Sequence, residues 1–159
     1  MIVIIMGVVG AGKTTVGRLL AERLGWEFAD ADDYHSQENI NKIRRGIPLD
    51  DADRNPWLLR LRAVIENWSS HGCNGVLACS ALKRSYRDEL KIGPEVQFVY
   101  LHGSAELIEQ RLRSRQGHFA GDRILASQFA DLEEPETAIT VNIDQPPGQI
   151  VAEIREKLF

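Results

Sequence analysis

The stretch that decides the fold is Gly7-Val8-Val9-Gly10-Ala11-Gly12-Lys13-Thr14, which matches the pattern G-x-x-x-x-G-K-[ST] of phosphate-binding loops, or P-loops. It follows the apolar run Ile2 to Met6, whose β-branched residues are typical of a strand buried on both faces. Behind it, apolar residues recur at helical spacing between positions 16 and 24, and Gly25 ends the helix. A strand, a glycine-rich turn and a helix in this order predict a site for nucleotide phosphates.

Each residue type in this loop suits an anion. Glycines let backbone N–H groups converge on phosphate oxygens, and the positive end of the following helix points at the same place. Lys13 is expected to reach the β- and γ-phosphates, and the Thr14 hydroxyl to ligate Mg²⁺. We therefore predict ATP and Mg²⁺ as cofactors. The predicted nucleotide contacts in the loop are Gly7, Val8, Val9, Gly10, Ala11, Gly12, Lys13, Thr14 and Thr15.

The composition argues against several classes of protein. The 159 residues carry a formal net charge of −4, so binding to nucleic acid or to a membrane is not predicted. The apolar start is too short to span a bilayer and lacks the basic flank of a secretion signal. Two cysteines, Cys73 and Cys79, do not suggest a disulfide scaffold, which favours a cytoplasmic protein with reduced thiols.

Other segments separate the enzyme classes that share a P-loop. Switch GTPases need a D-x-x-G segment and usually N-K-x-D, but Asn41-Lys42-Ile43-Arg44 lacks the aspartate. Large P-loop ATPases carry an aspartate where the third predicted strand of this chain is followed by Ser80. A compact kinase is the class that remains.

The rest of the chain alternates strands with helices. Strands are predicted at 2–6, 26–29, 75–79, 96–101 and 138–143. Such alternation predicts an α/β protein, a P-loop kinase fold with a five-stranded parallel sheet and helices on both faces. Residues 116–123 show no periodicity, and the region from about 115 to 130 is predicted to form a small lid. Because no linker or repeat interrupts the pattern, residues 1–159 are expected to form a single domain.

Carboxylates follow the second predicted strand, at the edge where ligands bind to parallel sheets. Phosphoryl transfer requires that the metal is held and that the attacking hydroxyl is positioned and deprotonated. We assign Asp32 to the base that contacts the acceptor and Asp30 to the metal, although the sequence leaves the reverse assignment open. Asp33 is interpreted as a bystander. His35 is a candidate substrate contact, with a place at the start of a helix as the alternative.

Basic residues are spaced to meet an anionic substrate. Arg54 lies in an acidic segment, while Lys83 and Arg87 are four residues apart and share a helical face. A guanidinium fork suits a carboxylate. We predict that these three residues bind a small acid, with ion pairing to nearby surface carboxylates as the alternative.

Two further arginines lie where a helix enters the predicted lid. Arg111 and Arg115 are four residues apart on one face. A closed lid excludes water from the phosphates, so Arg111 is expected to stack on adenine and Arg115 to neutralise the transferring charge. Within the lid, His118 is a predicted substrate contact. Gln145 and Pro146, after the last strand, are predicted to form the other wall of the adenine pocket.

Six segments resemble the gluconokinases of the thermoresistant, P-loop type, in order along nearly the whole chain. They are GVVGAGKTT at 7–15, DADDYHSQENINKI at 30–43, GIPLDDADRNPWL at 46–58, ACSALKRSYRDEL at 78–90, RQGHFAGDRILASQFADLEEP at 115–135 and VNIDQP at 141–146. Shikimate and adenylate kinases are similar only in the loop and the general layout. Val9 and Ala11 replace serines that are common in the family's loop, and because those contacts are mainly made by the backbone, phosphate binding is expected to persist.

The resemblance implies ATP-dependent phosphorylation of D-gluconate at its 6-hydroxyl, which gives 6-phosphogluconate and ADP. It also implies Mg²⁺ and a homodimer. Two alternatives remain: a kinase for another small hydroxy acid such as shikimate, and a nucleotide-binding regulatory protein without turnover.

Overall fold

The computed structural model describes residues 1–116 and 122–159, apart from the side chains of residues 115, 116 and 122. Its described part forms one sheet of parallel strands in the order β2-β3-β1-β4-β5. Every strand bound lies within one residue of its predicted position, and the predicted α/β fold is confirmed. The strands are β1 (Ile2–Met6), β2 (Glu27–Asp30), β3 (Gly75–Ala78), β4 (Val96–His102) and β5 (Ile139–Asn142).

Helices connect these strands and cover the sheet. One of them, α6 (Asp122–Asp131), was not predicted, and it lies largely within the region predicted as a lid. Leu125 and Phe129 lie four residues apart in it and pack into the core, which is the signal that was overlooked. No helix in the described part of the chain is both long and apolar enough to cross a bilayer. The helices are α1 (Lys13–Leu24), a 3₁₀ helix (Ala31–Tyr34), α2 (Gln37–Arg44), α3 (Asp51–Ser70), α4 (Arg84–Leu90), α5 (Ala105–Gln116), α6 (Asp122–Asp131) and α7 (Pro147–Leu158).

The central strand β1 is buried on both faces, as its apolar run predicted. Val3 and Ile5 belong to one core cluster, which includes residues of α1, α5 and α7. Ile2, Ile4 and Met6 belong to the other, which includes residues of α3 and α4. Because both faces are packed, the end of β1 is a fixed point from which the P-loop projects.

The strand order brings three connections to one edge of the sheet. β1 lies between β3 and β4, and β2 lies beside β3, so the segments that follow β1, β2 and β3 emerge next to one another. The strands that directly follow β1 in the chain, β2 and β3, lie on one side of it, and the later strands β4 and β5 lie on the other. Folds of this class bind their ligands at such a switch in strand order. The P-loop and the acidic segment after β2 are therefore neighbours.

A capping box fixes the start of α3. The Asp50 Oδ1 accepts a hydrogen bond from the Asp53 N–H at 2.8 Å, and the Asp53 Oδ2 accepts one from the Asp50 N–H at 3.0 Å. Lys42 of α2 adds an ion pair to Asp53 at 2.9 Å. These bonds hold the first turn of α3 in a set orientation, and Arg54 points inward from that turn.

Candidate active site

The P-loop connects β1 to α1 through backbone conformations that favour glycine. Gly10 and Gly12 have φ angles of 81° and 96°. A Cβ on Gly10 would lie 2.8 Å from the Cγ of Leu112, so this position also lacks room for a side chain. Gly12 is the N-cap of α1, where no side chain caps the first turn. The amide groups of that turn are therefore available to an anion.

Lys13 lies in the first turn of α1 and folds back over the loop. Its Nζ donates a hydrogen bond to the carbonyl of Val8 at 2.9 Å. Burial lowers the pKa of Lys13, and the nearby carboxylate of Asp32 partly offsets this effect. A partly desolvated ammonium gains more from a phosphate than a fully hydrated one does.

The end of β2 is tied to the first turn of α1. Thr14 Oγ1 donates to Asp30 Oδ2 at 2.6 Å, and the N–H of Asp32 donates to Asp30 Oδ1 at 3.0 Å. Both Asp30 oxygens are therefore engaged, whereas the Asp32 carboxylate accepts no hydrogen bond from any described residue. Although Asp32 is exposed to the cleft, loss of hydration raises its pKa, as does the charge of Asp30, while Lys13 opposes the rise. A raised pKa makes the carboxylate a better proton acceptor.

The same pair of residues suits a magnesium ion. Thr14 and Asp30 present two oxygens side by side, and oxygen is the ligand type that Mg²⁺ prefers. Within residues 1–116 and 122–159 no group of three or more His, Cys, Asp or Glu side chains is arranged to bind a metal. Kinases commonly hold Mg²⁺ with one or two protein oxygens while water and phosphate oxygens supply the rest. The residues present fit that arrangement.

A cavity of about 350 Å³ opens beside Lys13 and Asp32. Its walls come from the P-loop, the 3₁₀ helix, α2, the segment after α2, α3 and α6. This size is at the small end of ligand pockets and suits a small metabolite. The lining residues are Val9, Lys13, Asp32, His35, Ile40, Ile43, Arg44, Pro48, Leu49, Arg54, Trp57, Ser80, Ile124, Ser127 and Gln128.

We call this cavity the acceptor cavity, because it is lined by Asp32, the residue predicted to contact the acceptor. Two aromatic rings form one of its walls. The His35 ring stacks on Trp57, with centroids 4.4 Å apart and an interplanar angle of 11°. The Trp57 Nε1–H donates to the carbonyl of Ala31 at 2.7 Å, which fixes the indole. Burial lowers the pKa of His35 to about 4, with the charges of Arg54 and Arg60 adding to the effect. His35 is therefore a neutral ring at physiological pH.

Arg54 is the buried cation of the acceptor cavity, with only 6% of its surface exposed. One guanidinium nitrogen, Nη1, donates to Tyr86 Oη at 3.0 Å and to Asp131 Oδ2 at 2.9 Å. The Nε and Nη2 groups make no hydrogen bond within the described part of the chain. Together these two groups form a fork of the kind that suits a carboxylate. Tyr86 in turn donates to Asp51, so α3, α4 and α6 share this network.

Lys83 and Arg87 do not line the acceptor cavity, contrary to the expectation that they join Arg54 there. Lys83 pairs with Asp51 at 2.9 Å. The guanidinium of Arg87 donates to the carbonyl groups of Ala81, Leu82 and Glu133, at 2.8, 3.0 and 2.8 Å.

Arg87 has a structural role in the turn after β3. Ala81 has a positive φ of 43°, and Arg87 satisfies the carbonyl that this turn would otherwise bury without a partner. Arg87 thus stabilises the segment that carries Ser80 to the acceptor cavity.

A second cavity, of about 560 Å³, is lined by other residues of the P-loop, Gly10 to Gly12. Arg111 and Gln145 both line it, and Pro147 lines it in place of its neighbour Pro146. The predicted contact of these residues with adenine stays a prediction. Arg111 Nη2 donates to the carbonyl of Ile143 at 2.6 Å. The lining residues are Gly10, Ala11, Gly12, Thr15, Val16, Gln110, Arg111, Ser114, Gln145, Pro147 and Ile150.

Two predicted site residues cannot be placed. The side chain of Arg115 and the whole of His118 lie outside the described residues. Their assigned roles, charge neutralisation and substrate contact, stay predictions.

Several residues of the acceptor cavity were not predicted from the sequence, among them Gln128, Trp57 and Arg44. Gln128 of α6 accepts a hydrogen bond from the Val9 N–H through its Oε1 at 2.6 Å and so joins the P-loop to α6. Trp57 and Arg44 both occur in segments quoted above, but neither was assigned to the site. Gln128 falls within a segment that carried the family resemblance, but its partner is 119 residues away, and no local pattern indicates such a contact.

Comparison with known proteins agrees with this geometry. The family model for shikimate kinase matches residues 9–158. A probable gluconokinase of Xenopus tropicalis is 46% identical over 97% of this chain and 91% of its own length. Two solved structures are also similar. A sugar kinase from Janibacter sp. HTCC2649 has a TM-score of 0.91 at 44% identity and covers 99% of this chain and 93% of that one. A gluconokinase from Sinorhizobium meliloti 1021 has a TM-score of 0.87 at 40% identity, with 98% and 94% covered.

Likeness at this level over nearly the full length, together with a P-loop flanked by two cavities, confirms the resemblance read from the sequence. The chain belongs to the shikimate kinase family and, within it, to the gluconokinases.

Proposed function

We propose that this protein transfers the γ-phosphoryl group of ATP to the 6-hydroxyl of D-gluconate, giving 6-phospho-D-gluconate and ADP. The observation that carries the proposal is that one P-loop lines two cavities. One cavity suits a nucleotide, and the other combines the carboxylate of Asp32 with the buried guanidinium of Arg54. A substrate with a hydroxyl at one end and a carboxylate at the other matches those two groups.

The chemistry follows from where these residues lie. The loop amides and Lys13 hold the phosphates of ATP, and Arg54 binds the carboxylate of gluconate. Asp32 accepts the proton of the 6-hydroxyl while the oxygen of that hydroxyl forms a bond to the γ-phosphorus. The bond from that phosphorus to the β,γ-bridging oxygen breaks, and ADP leaves. Lys13 stabilises the negative charge on the group in transfer.

Mg²⁺ would be held by Thr14 and Asp30 and would neutralise charge on the phosphate oxygens. The hydrogen bond that now joins these two side chains marks where two protein ligands converge. Asp30 is therefore assigned to the metal and Asp32 to the base. The engagement of both Asp30 oxygens supports this division.

A homodimer is part of the proposal, on the basis of the family resemblance alone. Sizing of the purified protein by sedimentation or light scattering tests it directly. A single species with the mass of one 17.9 kDa chain at micromolar concentration would contradict the dimer.

Steady-state ATP consumption with D-gluconate tests the proposed reaction. We expect turnover that depends on gluconate, is abolished by a chelator and is restored by Mg²⁺. A panel of shikimate and other sugar acids measures specificity, and preferential turnover of shikimate would favour the alternative hydroxy-acid kinase. If ATP consumption stays at background with every acid, the protein is instead a nucleotide-binding protein without turnover.

A further inference from the structure

Asn39 is a buried polar residue next to the acceptor cavity. It lies in the first turns of α2, is 5% exposed, and its backbone N–H donates to the Ser36 hydroxyl that caps the helix. Its side-chain Nδ2 donates to the backbone carbonyl of Asp53 at 2.9 Å. A carbonyl oxygen only accepts, so the amide nitrogen, and not the amide oxygen, must face in this direction.

The same Nδ2 lies 3.3 Å from His35 Nδ1. An amide NH₂ has two protons and no lone pair to offer, so it donates to both of its neighbours. His35 Nδ1 must then be the acceptor, which means that it carries no proton. In a neutral imidazole the proton therefore sits on Nε2.

Nε2 makes no hydrogen bond with any residue of the described part of the chain, and His35 lines the acceptor cavity. The stack on Trp57 and the contact with Asn39 fix the plane of the ring from two directions. The Nε2–H group is thus a donor without a protein partner, held in place beside the site where the acceptor substrate binds.

We propose that Asn39 is a positioning residue that fixes His35 in the Nε2–H tautomer, so that His35 donates a hydrogen bond to a hydroxyl oxygen of the sugar-acid chain. The identity of the ligand rests on the proposed function. Arg54 binds the carboxylate of the substrate, and His35 donates to one of its hydroxyl groups. Burial and the neighbouring charges of Arg54 and Arg60 favour the neutral ring that this role requires.

The tautomer can be measured without any substrate. ¹⁵N-detected NMR of the imidazole rings in the full-length protein at pH 7 distinguishes a protonated from an unprotonated ring nitrogen. The His35 signals are assigned by their loss in His35→Gln. We expect Nε2 protonated and Nδ1 unprotonated. A proton on Nδ1, or a doubly protonated ring, overturns the proposal.

The role of Asn39 is tested with Asn39→Asp. A carboxylate accepts where the amide donates, so we expect Nδ1 of His35 to become protonated in this variant. An unchanged Nε2–H ring with an unprotonated Nδ1 would show that Asn39 does not set the tautomer. If the variant does not fold, the measurement on the natural protein and the kinetic comparison below still decide the proposal.

Kinetics test whether the Nε2–H group binds substrate. The amide nitrogen of His35→Gln reaches the position of Nε2, whereas that of His35→Asn reaches only the position of Nδ1. One hydrogen bond to a neutral group corresponds to about threefold to tenfold in binding. We therefore expect the gluconate KM of His35→Asn to exceed that of His35→Gln by about this factor, with similar ATP KM values. His71→Asn, at the exposed end of α3, is the matched control.

Equal gluconate KM values for the two His35 variants would refute the substrate contact. The two arms also separate this proposal from the proposed function. If no acid is phosphorylated, the NMR result still supports or overturns the tautomer. If gluconate is phosphorylated but Nδ1 carries the proton, only the inference about Asn39 and His35 is rejected.

Discussion

Replacing Asp32 with asparagine tests the centre of the proposed mechanism. The change removes the carboxylate that accepts the proton and keeps the size of the side chain. Asp32 accepts no hydrogen bond from the described residues, so the substitution breaks no bond of the fold. Asp30 is the nearest substitute, but both of its oxygens are engaged by Thr14 and by the backbone N–H of residue 32. We therefore expect no other group to take over the proton.

The expected loss follows from the value of a general base. Such a group contributes about 10²–10⁴-fold to turnover, which corresponds to about 3–5 kcal/mol of the activation barrier. Positioning by the P-loop, Lys13 and Arg54 is retained in the variant, so residual turnover above background is expected. The KM for ATP should stay the same or fall, because the variant removes a negative charge beside the phosphate site.

A coupled assay for ADP, with gluconate and ATP varied separately, gives kcat and both KM values. Asp33→Asn is the matched control, since it removes the same charge from the adjacent residue, which does not line the acceptor cavity. Asp30→Asn is a second comparison and should raise the Mg²⁺ concentration required for half-maximal turnover. Turnover of Asp32→Asn within about tenfold of the natural protein, or equal losses for Asp32→Asn and Asp33→Asn, would refute the assignment of the base.

Three further outcomes are expected. Asp131→Asn should lower the free energy of unfolding in urea by about 1–3 kcal/mol, because it leaves the charge of buried Arg54 without a counter-ion. Glu66→Gln, which removes one partner of an exposed ion pair, should give no measurable change. Equal losses of stability in the two variants would contradict the role of Asp131. His35 binds a proton near pH 6.5 when unfolded but only near pH 4 when folded, so stability should fall between these values on acidification. The His35→Gln variant should lose less stability over this pH range than the natural protein. Equal losses in the two proteins would show that His35 does not cause the fall. Gly10→Ala should cost about 2–4 kcal/mol, through its positive φ and the contact with α5; an unchanged urea midpoint would argue against both causes.

Most of the fold could be predicted from the sequence, because the patterns that indicate it are local. β1 is a continuous apolar run, the P-loop is a contiguous pattern with its own chemistry, and the strand-helix alternation admits few topologies. For the same reason the sequence alone predicted that the acidic segment after β2 lies near the P-loop. The helix α6 was missed because glycine and charged residues before it obscured a short apolar spacing.

The arginines show where sequence reasoning stops. Arg54 and Arg87 have the same side chain and were given the same role. One faces the acceptor cavity, and the other donates to three backbone carbonyls. Their difference depends on which polar groups each meets after the chain has packed.

The sequence by itself determined the phosphate site, the α/β architecture and the candidate carboxylates, because each depends on residues that are adjacent along the chain. The tertiary structure decided which cation lines the acceptor cavity, that Gln128 bonds to the P-loop, and that the amide nitrogen of Asn39 faces Nδ1 of His35. Each of these depends on a directional contact whose two partners meet only through folding, so it is set by the positions of both partners.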